Sequence, residues 1–269
     1  MPEAAFEAAA GFDALRPSSA RMYDYFLSGK DNYAADRSLA ERLRRAAPVV
    51  RVLARANRDF LLRAVRTLAA EAGIAQFLDI GCGLPGCDNV HQAARRVLPG
   101  ARVAYVDNDP MVVAHAQALM AADGGTVAFQ ADLRSPEALL ADRRLRAVID
   151  LERPVAVLLT AVLHHLPDED DPHGLVARVR DALPPGSHVV VSHAETTPAL
   201  RHAAALHNAA DTPFVPRTRE SVAAFFDGME PLPPGMDAAI RWRPDDAGNR
   251  LAGIARVPLL GGVARIPGG

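Results

Sequence analysis

Apolar positions along this chain follow two different periods. Between residues 36 and 72 they recur every three or four places, with Leu53, Ala56, Phe60, Leu61, Ala64, Val65 and Leu68 in one stripe. That is the spacing of helices that bury one face. The pattern predicts helices at 36–47 and 49–72, separated by Pro48, which cannot sit inside a helix because it lacks an N–H and its ring clashes. From residue 76 the chain switches to short apolar runs alternating with helical stretches. Strands are predicted near 76–80, 102–107, 126–130, 155–161 and 187–193, and helices near 88–98, 110–122, 136–144, 172–182 and 198–210. This alternation is the βαβ pattern of a parallel sheet covered on both faces. Further on, 236–242 and 250–257 read as an antiparallel pair joined by Asp245-Asp246-Ala247-Gly248-Asn249, a composition suited to a turn. The expected architecture is α/β: a mostly parallel sheet with a C-terminal antiparallel edge hairpin and an N-terminal helical cap. Residues 1–19, Ala-rich and without apolar period, read as a flexible arm, 20–72 as a lid with helices, and 73–269 as the ligand-binding domain.

Composition narrows the functions available. A chain of 269 residues can bury the core of one such domain. A formal charge of −2 supplies no global attraction to nucleic acid or an anionic membrane, and a small-molecule partner fits better. Arginines at 42, 44, 45, 51, 55, 58, 63 and 66 would line the wetter faces of the early helices. The apolar run 155–163 is far shorter than the roughly 18–20 residues that span a bilayer, and the amino terminus carries acids where a signal peptide needs cations. A cytoplasmic location is expected. Cys82 and Cys87 have neither a redox nor a zinc-ligand spacing. Lys30 is the only lysine among 30 lysines and arginines, a bias typical of GC-rich bacterial genomes.

The segment Phe77-Leu78-Asp79-Ile80-Gly81-Cys82-Gly83-Leu84-Pro85-Gly86 is an apolar strand ending in an acid and then a glycine turn. Open α/β sheets bind ligands outside the carboxyl ends of their strands, where glycine lets the backbone approach closely. Gly81, Gly83 and Gly86 also match the dinucleotide fingerprint, so an NAD(P)-dependent oxidoreductase is a competing reading. Charge separates the two: a pyrophosphate would be repelled by Asp79, whereas S-adenosylmethionine has no phosphate and carries an ammonium and a sulfonium. The next strand ends at Asp107-Asn108-Asp109-Pro110, placing Asp107 where a ribose diol needs an acceptor and leaving Asp109 to cap the following helix. The third ends at Asp132-Leu133, an acid for an adenine amino group and an apolar side chain for its ring.

These residues belong to longer blocks: Ser19-Ala20-Arg21-Met22-Tyr23-Asp24-Tyr25-Phe26-Leu27-Ser28-Gly29-Lys30-Asp31-Asn32-Tyr33, Asn57-Arg58-Asp59-Phe60-Leu61, Ala161-Val162-Leu163-His164-His165-Leu166-Pro167-Asp168 and Trp242-Arg243-Pro244. With them the chain resembles, over nearly its whole length, an actinobacterial S-adenosylmethionine-dependent methyltransferase family formerly catalogued as a domain of unknown function. The resemblance implies a class I, Rossmann-like methyltransferase fold, S-adenosyl-L-methionine as cofactor, and an N-terminal segment closing over it. Two departures stand out: Ser28-Gly29 where relatives often have two glycines, and Pro85-Gly86 where they commonly have Pro-Thr.

Methyl transfer needs an acceptor aligned with the sulfonium methyl, and a base when that acceptor is protonated. His164 and His165, after the fourth strand, are the candidate bases; His193 and Glu195 stand behind them. A metal site is not expected. The expected cofactor contacts are Tyr23, Lys30, Asp79, Gly81, Gly83, Asp107, Asn108, Asp132, Leu133 and Ala161. Lys30 enters because a chain that otherwise uses arginine retains a compact ammonium there. A protein that binds the cofactor for regulation without catalysis remains the alternative from another class.

Overall fold

The computed structural model describes residues 13–120, 124–244 and 257–268. Five parallel strands form its centre: β1 (Gln76–Ile80), β2 (Arg102–Asp107), β3 (Thr126–Gln130), β4 (Ala156–Thr160) and β5 (His188–Ala194). They lie in the order β3-β2-β1-β4-β5, so the chain enters mid-sheet and reverses its direction of travel between β1 and β4. At such a switch point the loops diverge and leave a crevice above the strand ends. The central strands β1 and β4 are buried throughout, because helices cover both faces.

The antiparallel edge differs in position from the expected hairpin. β8 (Leu259–Arg265) pairs antiparallel with β5 from Leu259 opposite Ala194 to Arg265 opposite His188. The two-residue strands β6 (Glu230–Pro231) and β7 (Asp237–Ala238) pair with β8 in turn. Gly261 and Gly262 conceal β8 from a propensity reading, yet packing requires them: a Cβ at 261 would stand 2.9 Å from a ring carbon of Phe60, and at 262 3.0 Å from one of Phe226. The expected strand 236–242 shrinks to β7 and a 3₁₀ turn at Ala239–Arg241, while 250–256 lie outside the described residues.

The N-terminal cap consists of α1 (Ser19–Phe26), α2 (Ala34–Ala46) and α3 (Val50–Glu71). The sheet-covering helices are α4 (Val90–Arg95), α5 (Pro110–Met120), α6 (Pro136–Ala141), α7 (Arg143–Val148), α8 (Pro172–Asp181) and α9 (Pro198–Asn208), with α10 (Arg219–Ala223) after them. The single helix expected at 136–144 is two, because Asp142 takes an extended backbone and caps α7 through the Arg144 N–H at 2.7 Å. On α3, Phe60 meets the Trp242 ring edge-on at 5.5 Å. Arg63 does not lie on a wet face as expected: it is buried and donates to the carbonyls of Trp242 and Ala239 at 3.1 and 2.5 Å. The guanidinium there satisfies backbone oxygens left over where the 3₁₀ turn ends.

One buried carboxylate ties the cap together. Asp36 accepts from the Arg21 Nε at 2.8 Å and from the N–H groups of Ser18 and Tyr33 at 2.9 and 2.8 Å. Arg21 also donates to the carbonyls of Asp13 and Arg16. Residues 13–18, expected to be part of a flexible arm, are thereby held against α1 and α2.

Candidate functional site

Above the strand ends lies a cavity of about 340 Å³. Its floor is the glycine turn after β1. Gly81 and Gly83 both have left-handed backbones, φ +69° and +64°, and a Cβ at 81 would fall 2.3 Å from a Val162 methyl. Glycine is therefore required at 81 both by conformation and by the approach of the β4 loop. Beneath this turn Asp79 is buried and stands outside the cavity lining, and its carboxylate accepts no hydrogen bond from any described residue. Burial pushes its carboxyl up to about 7, and the neighbouring Asp107 adds to the shift while Arg58 opposes it.

Asp107, at the end of β2, is also mostly buried. Its two oxygens accept from the N–H groups of Gly83 and Asp109, each at 3.0 Å, and burial pushes its carboxyl up to about 6. Asn108 lines the cavity and donates to Asp132 at 3.4 Å. Asp132 accepts in addition from the Arg134 N–H at 2.9 Å and pairs with its guanidinium at 3.2 Å, and Leu133 packs beside it, buried. Asp109 caps α5 through the Met111 N–H at 2.9 Å, as expected of an acid before Pro110, and its other oxygen accepts from the Ser18 hydroxyl at 2.9 Å. That second bond joins the strand-end wall to the cap.

The facing wall comes from residues 17–20 and Tyr23 with Asn57, Arg58 and Leu61 of α3. A chain of hydrogen bonds runs through it. The Ala161 N–H donates to the Ser192 hydroxyl at 2.9 Å, that hydroxyl donates to Asn57 Oδ1, the Asn57 amide donates to the Tyr23 oxygen at 2.9 Å, and Tyr23 donates to the Ala54 carbonyl at 3.0 Å. Ala161 itself holds φ +57°, a costly conformation for alanine that this bonded network maintains. Lys30 is placed elsewhere: it is exposed, does not line the cavity and makes no ion pair among the described residues. The loop carrying it folds outward because the Asp24 carboxylate, 1.8 Å from where a Gly29 Cβ would be, gathers the Asp31 N–H and the Asn32 amide at 3.0 and 2.8 Å.

The two candidate bases separate in role. His165 lines the cavity, and its Nδ1 lies 2.7 Å from the Pro213 carbonyl. Only a protonated Nδ1 can donate to that oxygen, so Nε2 carries the lone pair. His164 is buried behind it, outside the larger cavity, with Nδ1 accepting from the Ala194 N–H at 3.4 Å, so its proton sits on Nε2. Burial lowers the basicity of both rings, of His164 strongly. His193 is buried below them and held at about 3 by burial. Arg217 fixes the turn, donating to the carbonyls of Leu163 and Leu166 at 2.9 and 2.8 Å, to Asp168 at 2.6 Å and to His193 Nε2 at 3.1 Å. The single-sequence reading missed Ser18, Asn57, Arg58, His207, Pro213 and Arg217. Only Asn57-Arg58, inside a family-like block, carried a signal.

The donor set discriminates between phosphate and cation. Asp107, Asp109, Asp132 and Asp211 line the cavity against Arg58 and Arg134. Arg58 is committed to the Asp88 carbonyl and Asn89, and Arg134 to Asp132 and Asp170. The Gly83 N–H, which a phosphate would need, is spent on Asp107. Among the described residues this excess of carboxylates over uncommitted cations disfavours a pyrophosphate and favours a cationic ligand. Among the described residues no group of three or more His, Cys, Asp or Glu is placed to hold a metal, and no helix is long and apolar enough to cross a membrane.

A family model described as S-adenosyl methyltransferase matches residues 5–267. A DUF574 family protein from Streptomyces avermitilis has a similar structure, with 40% identity over 95% of this chain and 99% of that one and a TM-score of 0.90. A protein from Thermobifida fusca described as a candidate methyltransferase is similar at 38% identity over 96% of this chain and 98% of that one, with a TM-score of 0.89. No curated protein matches the sequence.

Proposed function

The chain belongs to the S-adenosyl methyltransferase family, and on that premise we propose that it methylates a small molecule, with the donor in the strand-end cavity and His165 as the base. When bound, S-adenosylmethionine supplies an electrophilic methyl group on a sulfonium. In this reading Asp79 and the turn at Gly81 and Gly83 receive the amino acid end, with Asp79 turning to its anion as the ammonium arrives. Asp107 takes the ribose diol through the lone pairs its two backbone bonds leave free. Asp132, Asn108 and Leu133 take the adenine, while Ala161 and Tyr23 bound the side from which an acceptor enters. His165 faces the same space with an unprotonated Nε2, the state a general base requires.

The observation that carries this reading is the partnerless, buried Asp79 under an acid-lined cavity. A cavity of about 340 Å³, lined on the cap side by residues 17–20 and Tyr23, falls in the range of small-molecule sites and suits the donor. Calorimetric titration tests the donor site: S-adenosylmethionine and S-adenosylhomocysteine bind and NAD does not. Asp107→Ala weakens S-adenosylhomocysteine by about 1–3 kcal/mol, the worth of hydrogen bonds to a charged acceptor, where each 1.4 kcal/mol is tenfold. Tight NAD binding, or an unchanged Asp107→Ala, contradicts the assignment. Methyl release on a panel of small acceptors then reads out turnover.

A further inference from the structure

A second cavity, about 80 Å³, adjoins the first: Ser19, Tyr23, Asn57, Ala161 and His165 line both. Beyond this shared wall it is bounded by Phe26, Leu53, Ala203, Phe214 and Leu259, with His164 and His207 among them. We propose that this is the acceptor pocket and that it takes an uncharged hydroxyl compound with an apolar body of about one ring, phenol being the simplest member. The inference rests on the donor occupying the larger cavity.

Charge is the first argument. Among the described residues no Asp, Glu, Lys or Arg lines this pocket, so neither an ammonium nor a carboxylate finds a counter-ion there. Its three imidazoles are neutral at pH 7, since burial lowers all three and takes His207 to about 3. Hydrogen-bonding capacity is the second. Tyr23 and Asn57 bond to each other and, through Ser192 and Ala54, to the chain. His207 presents its Nδ1 to the Thr212 hydroxyl at 3.1 Å, and that hydroxyl donates onward to the His207 carbonyl at 3.0 Å, so His207 donates and keeps its lone pair on Nε2. His165 keeps its lone pair on Nε2 as well, whereas His164 bears an Nε2–H. Among the imidazoles the free groups are thus two acceptors and one donor, with the Ser19 hydroxyl and the second Asn57 N–H beside them. A hydroxyl suits such a mixed set, because it gives its one proton to one acceptor and accepts from a donor.

Size is the third argument. Phe26, Leu53, Ala203 and Leu259 line this pocket and not the donor cavity, so an acceptor that buries its body against them leaves its oxygen at the junction with the donor cavity. In the transfer the oxygen–methyl bond forms as the sulfur–methyl bond breaks. The sulfur retains the electron pair, and the hydroxyl proton passes to His165 Nε2.

Calorimetry on the full chain saturated with S-adenosylhomocysteine tests the pocket at pH 7.5, with phenol, benzoate and benzylamine as probes. Phenol is expected to bind saturably and the two charged probes at least about tenfold more weakly, the cost of an unpaired buried charge. Ala203→Leu and His207→Phe each put a bulkier side chain into the pocket, and each is expected to weaken phenol about tenfold or more while S-adenosylhomocysteine affinity holds. Two variants are used so that a folding failure in one leaves the other to decide. Charged probes binding as well as phenol, or phenol binding unchanged in a folded variant, overturns the proposal. S-adenosylhomocysteine binding without phenol binding overturns the pocket alone. Failure of S-adenosylhomocysteine to bind removes the donor site, and the pocket inference with it.

Discussion

Two walls enclose the strand-end cavity, and they are built differently. On the strand-end wall Gly81, Gly83, Asp107 and Asp132, with Asp79 beneath, sit within a few residues of where β1, β2 and β3 stop, and the sheet's own backbone bonds position them. On the facing wall Ser18 and Tyr23 are positioned by partners further along the chain: Asp36 and Asp109 for Ser18, Asn57 for Tyr23. The first wall is a consequence of the sheet. The second exists only while a few buried polar contacts hold, so its stability can be lost without loss of the fold.

The sharpest way to break that contrast is at Asp36. Arg21 and Asp36 are both buried, and removing one partner strands the other charge away from water. Asp36→Ala should therefore cost about 3–5 kcal/mol, the penalty of an orphaned buried ion. Denaturant titration reads the loss, and limited proteolysis localises it. Cleavage in residues 13–33 should rise well above cleavage in the sheet domain, and S-adenosylhomocysteine should restore part of the protection. Uniform loss of protection would mean that the two walls form one cooperative unit.

The same contrast governs what could be read in advance. Each strand-end acid follows an apolar run and precedes a turn, so its place follows from a few consecutive residues. Asp36 resembles any first-turn helical acid, and nothing local says that Arg21 will be buried against it. His207, Pro213 and Arg217 meet His164 and His165 across about fifty residues or fewer of intervening chain, a coincidence of topology. The family departures become intelligible only in three dimensions. Ser28 holds φ +67°, a conformation that favours glycine, and its hydroxyl accepts from Arg51 at 2.9 Å in partial compensation. At Gly86 a Cβ would stand 3.2 Å from the Arg58 guanidinium, which instead binds Asn89.

Acidification should act on ligand affinity and on overall stability through different groups. Asp79 and Asp107 are raised to about 7 and 6, so the empty site holds protons that a cationic donor must expel. Affinity for S-adenosylmethionine should fall as pH drops from 7.5 to 5.5, by up to about tenfold per pH unit for each proton released. Asp79→Asn should flatten that slope. Overall stability follows the histidines. His188 is lowered to about 4, and His193 and His207 to about 3, so the unfolded chain binds more protons than the folded one between those values and the ordinary imidazole range. The stability they contribute is fully present above about pH 6.5 and is lost as pH falls toward 3. The raised aspartates work in the opposite sense over pH 4–7, but they are two against at least three histidines. Thermal melts that hold steady from pH 7.5 to 5 would contradict the burial of the histidine side, and pH-independent affinity would contradict the role of Asp79.

The smallest expected effect belongs to Lys30. Its singularity in an arginine-rich chain suggested a dehydrated ammonium at the cofactor, yet the Asp24-centred turn carries it out to solvent, off both walls. An exposed cation without an ion pair among the described residues contributes little, within about 0.5 kcal/mol. Lys30→Arg and Lys30→Ala should therefore both leave S-adenosylmethionine affinity unchanged. The comparison between the two variants carries the information. A loss with alanine that arginine restores would indicate a long-range charge effect on ligand capture, suppressed by added salt. An equal loss with both would mean that the turn closes over the bound donor and brings a compact ammonium into the site, in which case the cap moves on binding and the facing wall is a moving part rather than a preformed one.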